Sequence, residues 1–278
     1  MRTAHIRRSR RFRCIAALVG AATIGVGPVF AQSALDWPPA ERERFDALPT
    51  VAVATDSTWP PMEYINRDRE LVGFDIDLLR EVGLRAGFRP EFETVAWDGI
   101  FAGLAARQYD MIASSVTLLE ERKRAMRFST PYFRAAQYLV VRREDATAVS
   151  GLADLAGGAV GAQIATTGSR LIAETPGVEL RSYDDLGLAV EDLATGRLDG
   201  IVADMAIVEY FVLSNERYER ALVVTGEPYA VEDYAFAIRR DRPELQARIN
   251  AALEEIRADG TLAAIRDFWF DHLASGQE

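Results

Sequence analysis

The chain has one cysteine and two histidines among its 278 residues, and Lys123 is its single lysine. Cys14 lies inside an N-terminal leader, so the rest of the chain has no material for a disulfide or for thiol chemistry. With only His5 and His272, near opposite ends, neither a histidine triad nor a histidine-rich metal site can be assembled, and no cofactor or metal is expected. Excess positive charge is also lacking: 32 Lys plus Arg face 42 Asp plus Glu, for a formal charge of -10. Nucleic-acid binders need a basic footprint that releases counterions from phosphates, so no nucleic-acid partner is expected. There is no Gly/Ser-rich linker and no low-complexity tract. What is present is apolar material, 49% hydrophobic and 9% aromatic, enough for a sizeable core in one large domain or two smaller ones.

The charge is unevenly placed. Residues 1–31 hold six arginines (Arg2, Arg7, Arg8, Arg10, Arg11, Arg13) and no acid, which leaves -16 on the remainder. An apolar run follows from Cys14 to Phe30, broken only by glycines, Thr23 and Pro28, and then Val29-Phe30-Ala31 precedes Gln32. A basic start, an apolar middle and small residues before the junction mark a secretory signal peptide over residues 1–31, cut after Ala31. The run is too short and glycine-rich for a membrane span. Arg10-Arg11-Phe12 is a weak match to a twin-arginine signal, and Cys14 does not follow the residues of a lipoprotein cleavage site. A soluble exported protein in the periplasm is the expectation.

Past a polar leader over residues 32–47, β-branched and apolar residues from Thr50 to Ala54 read as a strand, followed by turn chemistry from Asp56 to Pro61. Asp75 to Ala86 carries Ile76, Leu79, Val82 and Ala86 on one helical stripe, closed by Gly87. Glu91–Val95 reads as a strand, Asp98–Arg107 as a helix and Tyr109–Ser114 as a strand. Such alternation predicts an α/β fold with a mostly parallel sheet and ligands beyond the carboxyl ends of its strands. Leu104-Ala105, Asp110, Ile112 and Ser115 recur as Leu193-Ala194, Asp199, Ile201 and Asp204, all 89 residues later. Two similar lobes can therefore face each other, with Ser115 and Asp204 both at strand ends. Tyr138–Val141 and Tyr234–Ile238 are the runs that can carry the chain between lobes, and helices around 243–258 and 261–270 then return to the first.

From Ser114 the chain reads Ser-Ser-Val-Thr-Leu-Leu-Glu-Glu-Arg. The planar fork of Arg122 can receive a carboxylate at two oxygens, or Arg122 can be a surface arginine on a helix beginning near Thr117. Thr117 and Glu120 have capping-box spacing, so Thr117 can be an N-cap with no further work. Asp204 can likewise be the N-cap of a helix at Met205, and Trp59 or Trp97 can be core. The local sequence leaves these readings side by side.

Leu71 to Leu78 (Leu-Val-Gly-Phe-Asp-Ile-Asp-Leu), Tyr109-Asp110-Met111-Ile112 with the stretch to Arg122, Phe128-Ser129-Thr130-Pro131-Tyr132, Gly196-Arg197-Leu198-Asp199 and Arg257-Ala258-Asp259-Gly260-Thr261 occur in order. Together they resemble the periplasmic solute-binding proteins for polar amino acids, the histidine-, lysine/arginine/ornithine- and glutamine-binding type, over roughly residues 48–273. The resemblance implies two Rossmann-like α/β lobes joined by a two-stranded hinge, the type II periplasmic binding protein fold. It implies a discontinuous first lobe, residues 48–138 plus 235–274, and a second lobe, residues 139–234. By the same resemblance, Arg122 and Thr117 match ligand α-carboxylate positions. Thr166 and Thr167 match the turn whose N–H groups meet that carboxylate at a helix start, with Ala165 in place of the usual glycine. Ser115 and Asp204 match positions around the ligand ammonium. Trp59 matches an aromatic that packs on the ligand side chain, with Asp56, Glu63, Trp97, Gln163 and Ser114 in or beside that pocket.

A zwitterion needs a cation and donors for one end and an anion for the other, which Arg122 and Asp204 supply from different lobes. The expected function is capture of a free L-amino acid between closing lobes, polar or cationic ahead of aromatic or acidic, and its delivery to the membrane permease of an ABC importer. A monomer is expected. The alternative from the same fold is a cyclohexadienyl (arogenate/prephenate) dehydratase, in which a general acid three residues beyond the lobe-two aspartate is implied; here that position is Ile207, with Glu209 nearby. A sensory receptor domain is a third class, and a free protein is preferred to it.

Overall fold

The computed structural model describes residues 33–275; the predicted signal peptide and its cleavage point lie outside them. The polar leader carries a short helix, α1 (Pro39–Asp46), with proline at its first position, where no amide partner is needed. It docks on the body of the protein: Ser33 Oγ and the Ala34 amide donate to the buried Asp77 carboxylate at 2.8 and 2.6 Å, and Trp37 Nε1 donates to Glu81 at 2.8 Å.

Strand β1 (Thr50–Thr55) leads into a small antiparallel sheet of β2 (Thr58–Trp59), β3 (Glu63–Ile65) and β4 (Leu71–Val72). Then come α2 (Phe74–Ala86), β5 (Arg89–Thr94), α3 (Trp97–Ala105), β6 (Met111–Ile112), α4 (Glu120–Lys123) and β7 (Arg127–Phe128). The long strand β8 (Phe133–Arg142) leaves this region, and a 3-10 turn at Leu152–Leu155 precedes β9 (Ala159–Gln163), α5 (Thr167–Ala173), β10 (Glu179–Tyr183), α6 (Leu186–Ala194) and β11 (Gly200–Asp204). Helix α7 (Met205–Val208) runs into a π-helical turn at Glu209–Leu213, followed by α8 (Glu216–Ala221), β12 (Leu222–Thr225), β13 (Val231–Tyr234), β14 (Ala237–Ile238), α9 (Pro243–Ala258) and α10 (Thr261–Ser275).

These elements form two α/β lobes. One holds a five-stranded sheet in the order β5-β1-β6-β14-β7, parallel among β5, β1 and β6; the other holds a six-stranded sheet in the order β10-β9-β11-β8-β12, with β13 also on β8. Apolar faces close each lobe. Phe74, Leu78, Leu79 and Val82 of α2 belong to one core cluster with Ile249, Leu253 and Ile256 of α9. In the other lobe, Val160, Ala162, Ile172 and Val202 pack with Leu139 and Val141. No helix among the described residues is long and apolar enough to cross a membrane.

Three expectations shift. The passage between lobes is the antiparallel pair of Phe133–Ala136 in β8 with β13, whereas Tyr138–Val141 already lies inside the six-stranded sheet and Ala237–Ile238 inside the five-stranded one. Because β8 is one unbroken strand, no turn residue marks the crossing. The strand expected over 109–114 has ladder pairing only at Met111–Ile112. The helix expected near Thr117 begins at Glu120 with Leu119 as N-cap; Thr117 instead bridges Tyr234, and its hydroxyl donates to Glu232, so the capping box does not form.

Gly73 explains the Gly-Phe-Asp motif. It sits at φ 138° at the N-cap of α2, and a Cβ there would stand 2.2 Å from the Met62 carbonyl oxygen. The approach lets the Phe74 and Asp75 amides donate to Pro61 and Met62 at 3.0 and 2.9 Å, fixing the loop that carries Trp59 and Glu63. Gly87 closes α2 in the left-handed region at φ 76°, as its position predicts. Gly73→Ala combines a backbone clash with an unfavourable φ, and urea denaturation should register a loss of at least ~2 kcal/mol. An unchanged midpoint would show that the loop relaxes freely around a methyl group.

Candidate functional site

One cavity brings together all twelve residues singled out above. Asp56, Trp59, Glu63, Trp97, Ser114, Ser115, Thr117 and Arg122 line it from one lobe, and Gln163, Thr166, Thr167 and Asp204 from the other; Tyr234 completes the wall. About 350 Å³ at this cleft, open solvent at its mouth included, is free of protein atoms. The strand ends put the residues there. Ser114 and Ser115 follow β6, Asp204 ends β11, and Gln163 ends β9.

Arg122 leaves α4 and lies against aromatic rings, with its guanidinium carbon 4.5 Å from the Phe101 centroid and 5.7 Å from that of Trp97. One guanidinium N–H donates to the Thr117 carbonyl at 3.1 Å. Among the described residues no carboxylate stands within ion-pair distance of it. Burial pushes its pKa below the usual arginine value, an effect that the Glu121 and Glu232 charges oppose. Its surface reading therefore fails on geometry: the side chain is half-buried and turned onto two rings of the cleft.

Asp204 is the counterpart in the other lobe. It is 7% exposed, holds the N-cap position of α7, and yet makes no side-chain capping bond. Its Oδ1 is buried without a hydrogen-bond partner among the described residues. Burial pushes its carboxyl up to about 7, with the Tyr234 hydrogen bond opposing and the Glu232 charge adding.

At the far end of the cavity carboxylates accumulate. Glu63 is buried and accepts from Ser114 Oγ at 2.8 Å and Ser115 Oγ at 3.2 Å. Burial, reinforced by the Asp75 charge, drives its pKa well above the ordinary range. Asp75, beneath it, accepts from the Ser115 amide at 2.7 Å and the Tyr132 hydroxyl at 2.6 Å, and burial pushes it up to about 7. Asp56, also raised by burial, accepts from Thr58 Oγ1 at 3.0 Å and from Gln163 Nε2 of the opposite lobe at 2.7 Å. Ser115 sits at φ 47°, a strained setting that aims its amide at Asp75. Its hydroxyl proton is given to Glu63, so the oxygen is left as an acceptor.

The hydroxyls assigned to carboxylate binding are less available than the resemblance implies. Thr166 is the N-cap of α5: its Oγ1 accepts from the Ser169 amide at 3.2 Å and donates to the Gln163 carbonyl at 2.7 Å. Thr117 and Thr167 both donate to Glu232 Oε2 at 2.9 Å. Ala165 adopts φ 58° where glycine is usual, and its carbonyl accepts from Trp97 Nε1 at 3.3 Å across the lobes. Beyond the cavity, Arg170 makes a two-pronged pair with Glu121 at 2.8 and 3.1 Å, again joining the lobes.

Sequence reasoning passed over Tyr234, Glu232 and Asp75 as site residues. Tyr234 lay in an apolar run and Glu232 in the return passage, with nothing in their neighbours to set them apart. Among the described residues there is no cluster of His, Cys, Asp and Glu suited to a metal.

Residues 51–272 match the model of the bacterial extracellular solute-binding proteins, family 3. Over 223 residues the chain is 30% identical to the L-cystine-binding protein TcyJ of Escherichia coli (strain K12), covering 80% of this chain and 82% of that protein. Over 226 residues it is 32% identical to ABC transporter arginine-binding protein 1 of the same organism, covering 81% and 92%. Among solved structures, an ancestral arginine-binding protein bound to arginine is similar with a TM-score of 0.75 at 34% identity, covering 80% of this chain and 98% of that one. The chain belongs to the bacterial extracellular solute-binding proteins, family 3.

Proposed function

We propose that the protein captures a free L-amino acid, with a polar or cationic side chain preferred, between its two lobes and delivers it to the permease of an ABC importer. It acts as a monomer in the periplasm after losing residues 1–31. The lobes of this reading are residues 48–138 with 235–274, and residues 139–234. One observation carries the proposal: a half-buried guanidinium without an ion partner among the described residues and a buried carboxyl with an orphan oxygen line the same cavity. Burying either alone is unfavourable, and a zwitterion neutralises both at once. Arg122, with Thr117, Thr167 and the amides at Thr166 and Thr167, receives the carboxylate. Asp204 and the Ser115 oxygen receive the ammonium. Trp59, Trp97, Asp56, Glu63, Ser114 and Gln163 surround the side chain.

The side-chain preference follows from the charge inventory. Three carboxyls, those of Asp56, Glu63 and Asp204, line the cavity against one guanidinium. After the ammonium pairs with Asp204, Asp56 and Glu63 remain, held toward the protonated form by burial; they can hydrogen-bond an amide or ionise against a cationic side chain, whereas an acidic one finds no second cation among the described residues of the cavity. The names of the relatives, arginine- and cystine-binding proteins, support a polar amino acid without choosing one. The dehydratase alternative draws no support from the cavity. Ile207 is fully buried, and Glu209 opens onto a separate groove lined by Tyr132, Phe133 and Met205. A spectrophotometric assay for phenylpyruvate from prephenate should therefore read zero, and steady turnover would overturn the transport reading.

Arg122→Ala should abolish the thermal stabilisation that L-arginine gives the wild type and weaken affinity at least ~100-fold, with the unliganded fold intact. Retained affinity removes Arg122 from the carboxylate site.

The state of Asp204 gives a pH signature. Its carboxyl holds a proton up to about pH 7 in the folded chain, and an ammonium partner favours the ionised form. Ligand binding then releases a proton, so affinity should rise from pH 5 to pH 8, and calorimetric enthalpies should vary with buffer ionisation below pH 7. For the protein alone the sign is opposite: the folded state binds more protons than the unfolded between the ordinary carboxyl value and about 7. Its stability therefore falls as pH rises through that window, each unit of raised pKa corresponding to ~1.4 kcal/mol. Asp204→Asn should flatten the pH dependence of affinity, reduce that of stability to the share left by the raised Asp75 and Glu63 carboxyls, and weaken amino acids far more than their des-amino analogues. An equal loss for both would place the ammonium elsewhere.

A further inference from the structure

Glu232 has no part in the reading above, yet it occupies the donors which that reading assigns to the ligand. It stands on β13, opposite Ala135 of β8, where the chain passes between lobes. Its Oε2 accepts from Thr117 Oγ1 and from Thr167 Oγ1, each at 2.9 Å. Thr117 follows β6 in one lobe and Thr167 opens α5 in the other, so a single carboxylate oxygen joins the two. A threonine hydroxyl has one proton to donate, and both protons are given to Glu232. Gln137 Nε2 donates to Thr167 Oγ1, which fills one of its lone pairs and leaves its proton directed at Glu232. The Glu232 charge also acts on both Arg122 and Asp204.

We propose that Glu232 is an internal surrogate for the ligand carboxylate. It holds the hydroxyl pair of Thr117 and Thr167, draws the lobes together through them, and yields the pair when an amino-acid carboxylate docks on Arg122. This rests on the amino-acid reading of the cleft and adds to it a built-in competitor that sets the affinity for a carboxylate. A ligand bearing a carboxylate must displace Glu232 and gains the hydroxyls in return. An amine without a carboxylate has nothing to offer them and is, if anything, attracted by the Glu232 charge. The surrogate thus lowers affinity for every amino acid while keeping the lobes in register between binding events.

Glu232→Gln keeps the size of the side chain and removes its charge. In calorimetric titrations the variant should bind L-arginine about tenfold more tightly than the wild type, since both the competition and the like-charge repulsion are gone. Agmatine, which has the same side chain and amine but no carboxylate, should gain nothing or bind more weakly. Equal gains for the two ligands, or no gain for L-arginine, overturn the proposal. A second readout needs no ligand: in small-angle scattering without added amino acid, the radius of gyration of Glu232→Ala, which has no acceptor for the two hydroxyls, should exceed that of the wild type, and an unchanged radius also overturns it. If either substitution prevents folding, Glu232→Asp, one methylene too short to hold both hydroxyls, carries the same scattering test. A wild type that binds no L-arginine counts against the ligand reading, while the scattering comparison still decides the surrogate role. A wild type that binds and a Glu232→Gln that does not tighten count against the surrogate role alone.

Discussion

A charge taken out of water must find a partner, and the cleft of this protein depends on two charged groups that have no ion partner among the described residues. Arg122 is held against Phe101 and Trp97 rather than against a carboxylate, and Asp204 keeps a buried oxygen with no donor. Rings solvate a guanidinium through their faces without neutralising it, so the positive charge stays available to an anion. Burial meanwhile pushes Asp204 toward its protonated form, a resting state that costs less than a bare buried carboxylate. Neither side chain could be kept this way on one surface, where the two would simply pair. Placing them on different lobes prevents that, and the two-lobed fold is in this sense a device for keeping opposite charges apart until a third body bridges them.

The backbone architecture follows from the same need. Parallel strands deliver their carboxyl ends to one edge of each sheet, and Ser115 and Asp204 occupy equivalent places 89 residues apart at those edges. Beneath the edge a network of buried acids fixes the loops. Asp75 holds the Ser115 amide and the Tyr132 hydroxyl, and Gly73 lets the start of α2 approach Met62 closely enough for this to happen. Asp77, two residues further on, plays a similar part on another side of the helix, gathering Ser33, Ala34 and Trp269 so that the leader segment is tied to α2 and α10. The alternation Asp-Ile-Asp in the motif thus serves two different sides of one helix, with Ile76 fully buried between.

Much of this is legible in the sequence where a residue type has only one comfortable use. Gly87 at the end of an apolar stripe predicts the end of α2, and the same is true of the apolar run that becomes β1. The twelve cavity residues are legible through ordered motifs rather than through local chemistry, since Arg122, Asp204 and Thr117 each have an innocuous local reading. Two of those readings are undone only by tertiary contacts: Thr117 does not cap because its hydroxyl is drawn to Glu232, and Asp204 occupies a cap position without making the bond. Glu232 and Tyr234 were illegible for the converse reason. Glu232 acts through Thr117 and Thr167, each more than 60 residues away, and Tyr234 through Asp204, 30 residues away, and neither spacing nor composition encodes contacts of that range. The crossing point between lobes was displaced by a few residues because β8 passes through both environments as one strand.

The lobes touch through more than the cavity. Gln163 reaches Asp56, Trp97 reaches the Ala165 carbonyl, and Arg170 pairs with Glu121 at the rim. These contacts differ in what a ligand would do to them. The Arg170–Glu121 pair is solvent-exposed and contributes little by itself. The Gln163 amide donates to Asp56 and the Trp97 indole to a backbone carbonyl, so neither contact holds the threonine hydroxyls, and both reinforce closure. The Glu232 bridge alone draws on donors that the proposed ligand also requires. Closure by the first kind of contact raises affinity for any occupant, whereas closure by the second must be undone by the occupant itself. A cleft that combines both can remain aligned without ligand, and its affinity for a carboxylate is set by what is left after the hydroxyls have been taken back from Glu232.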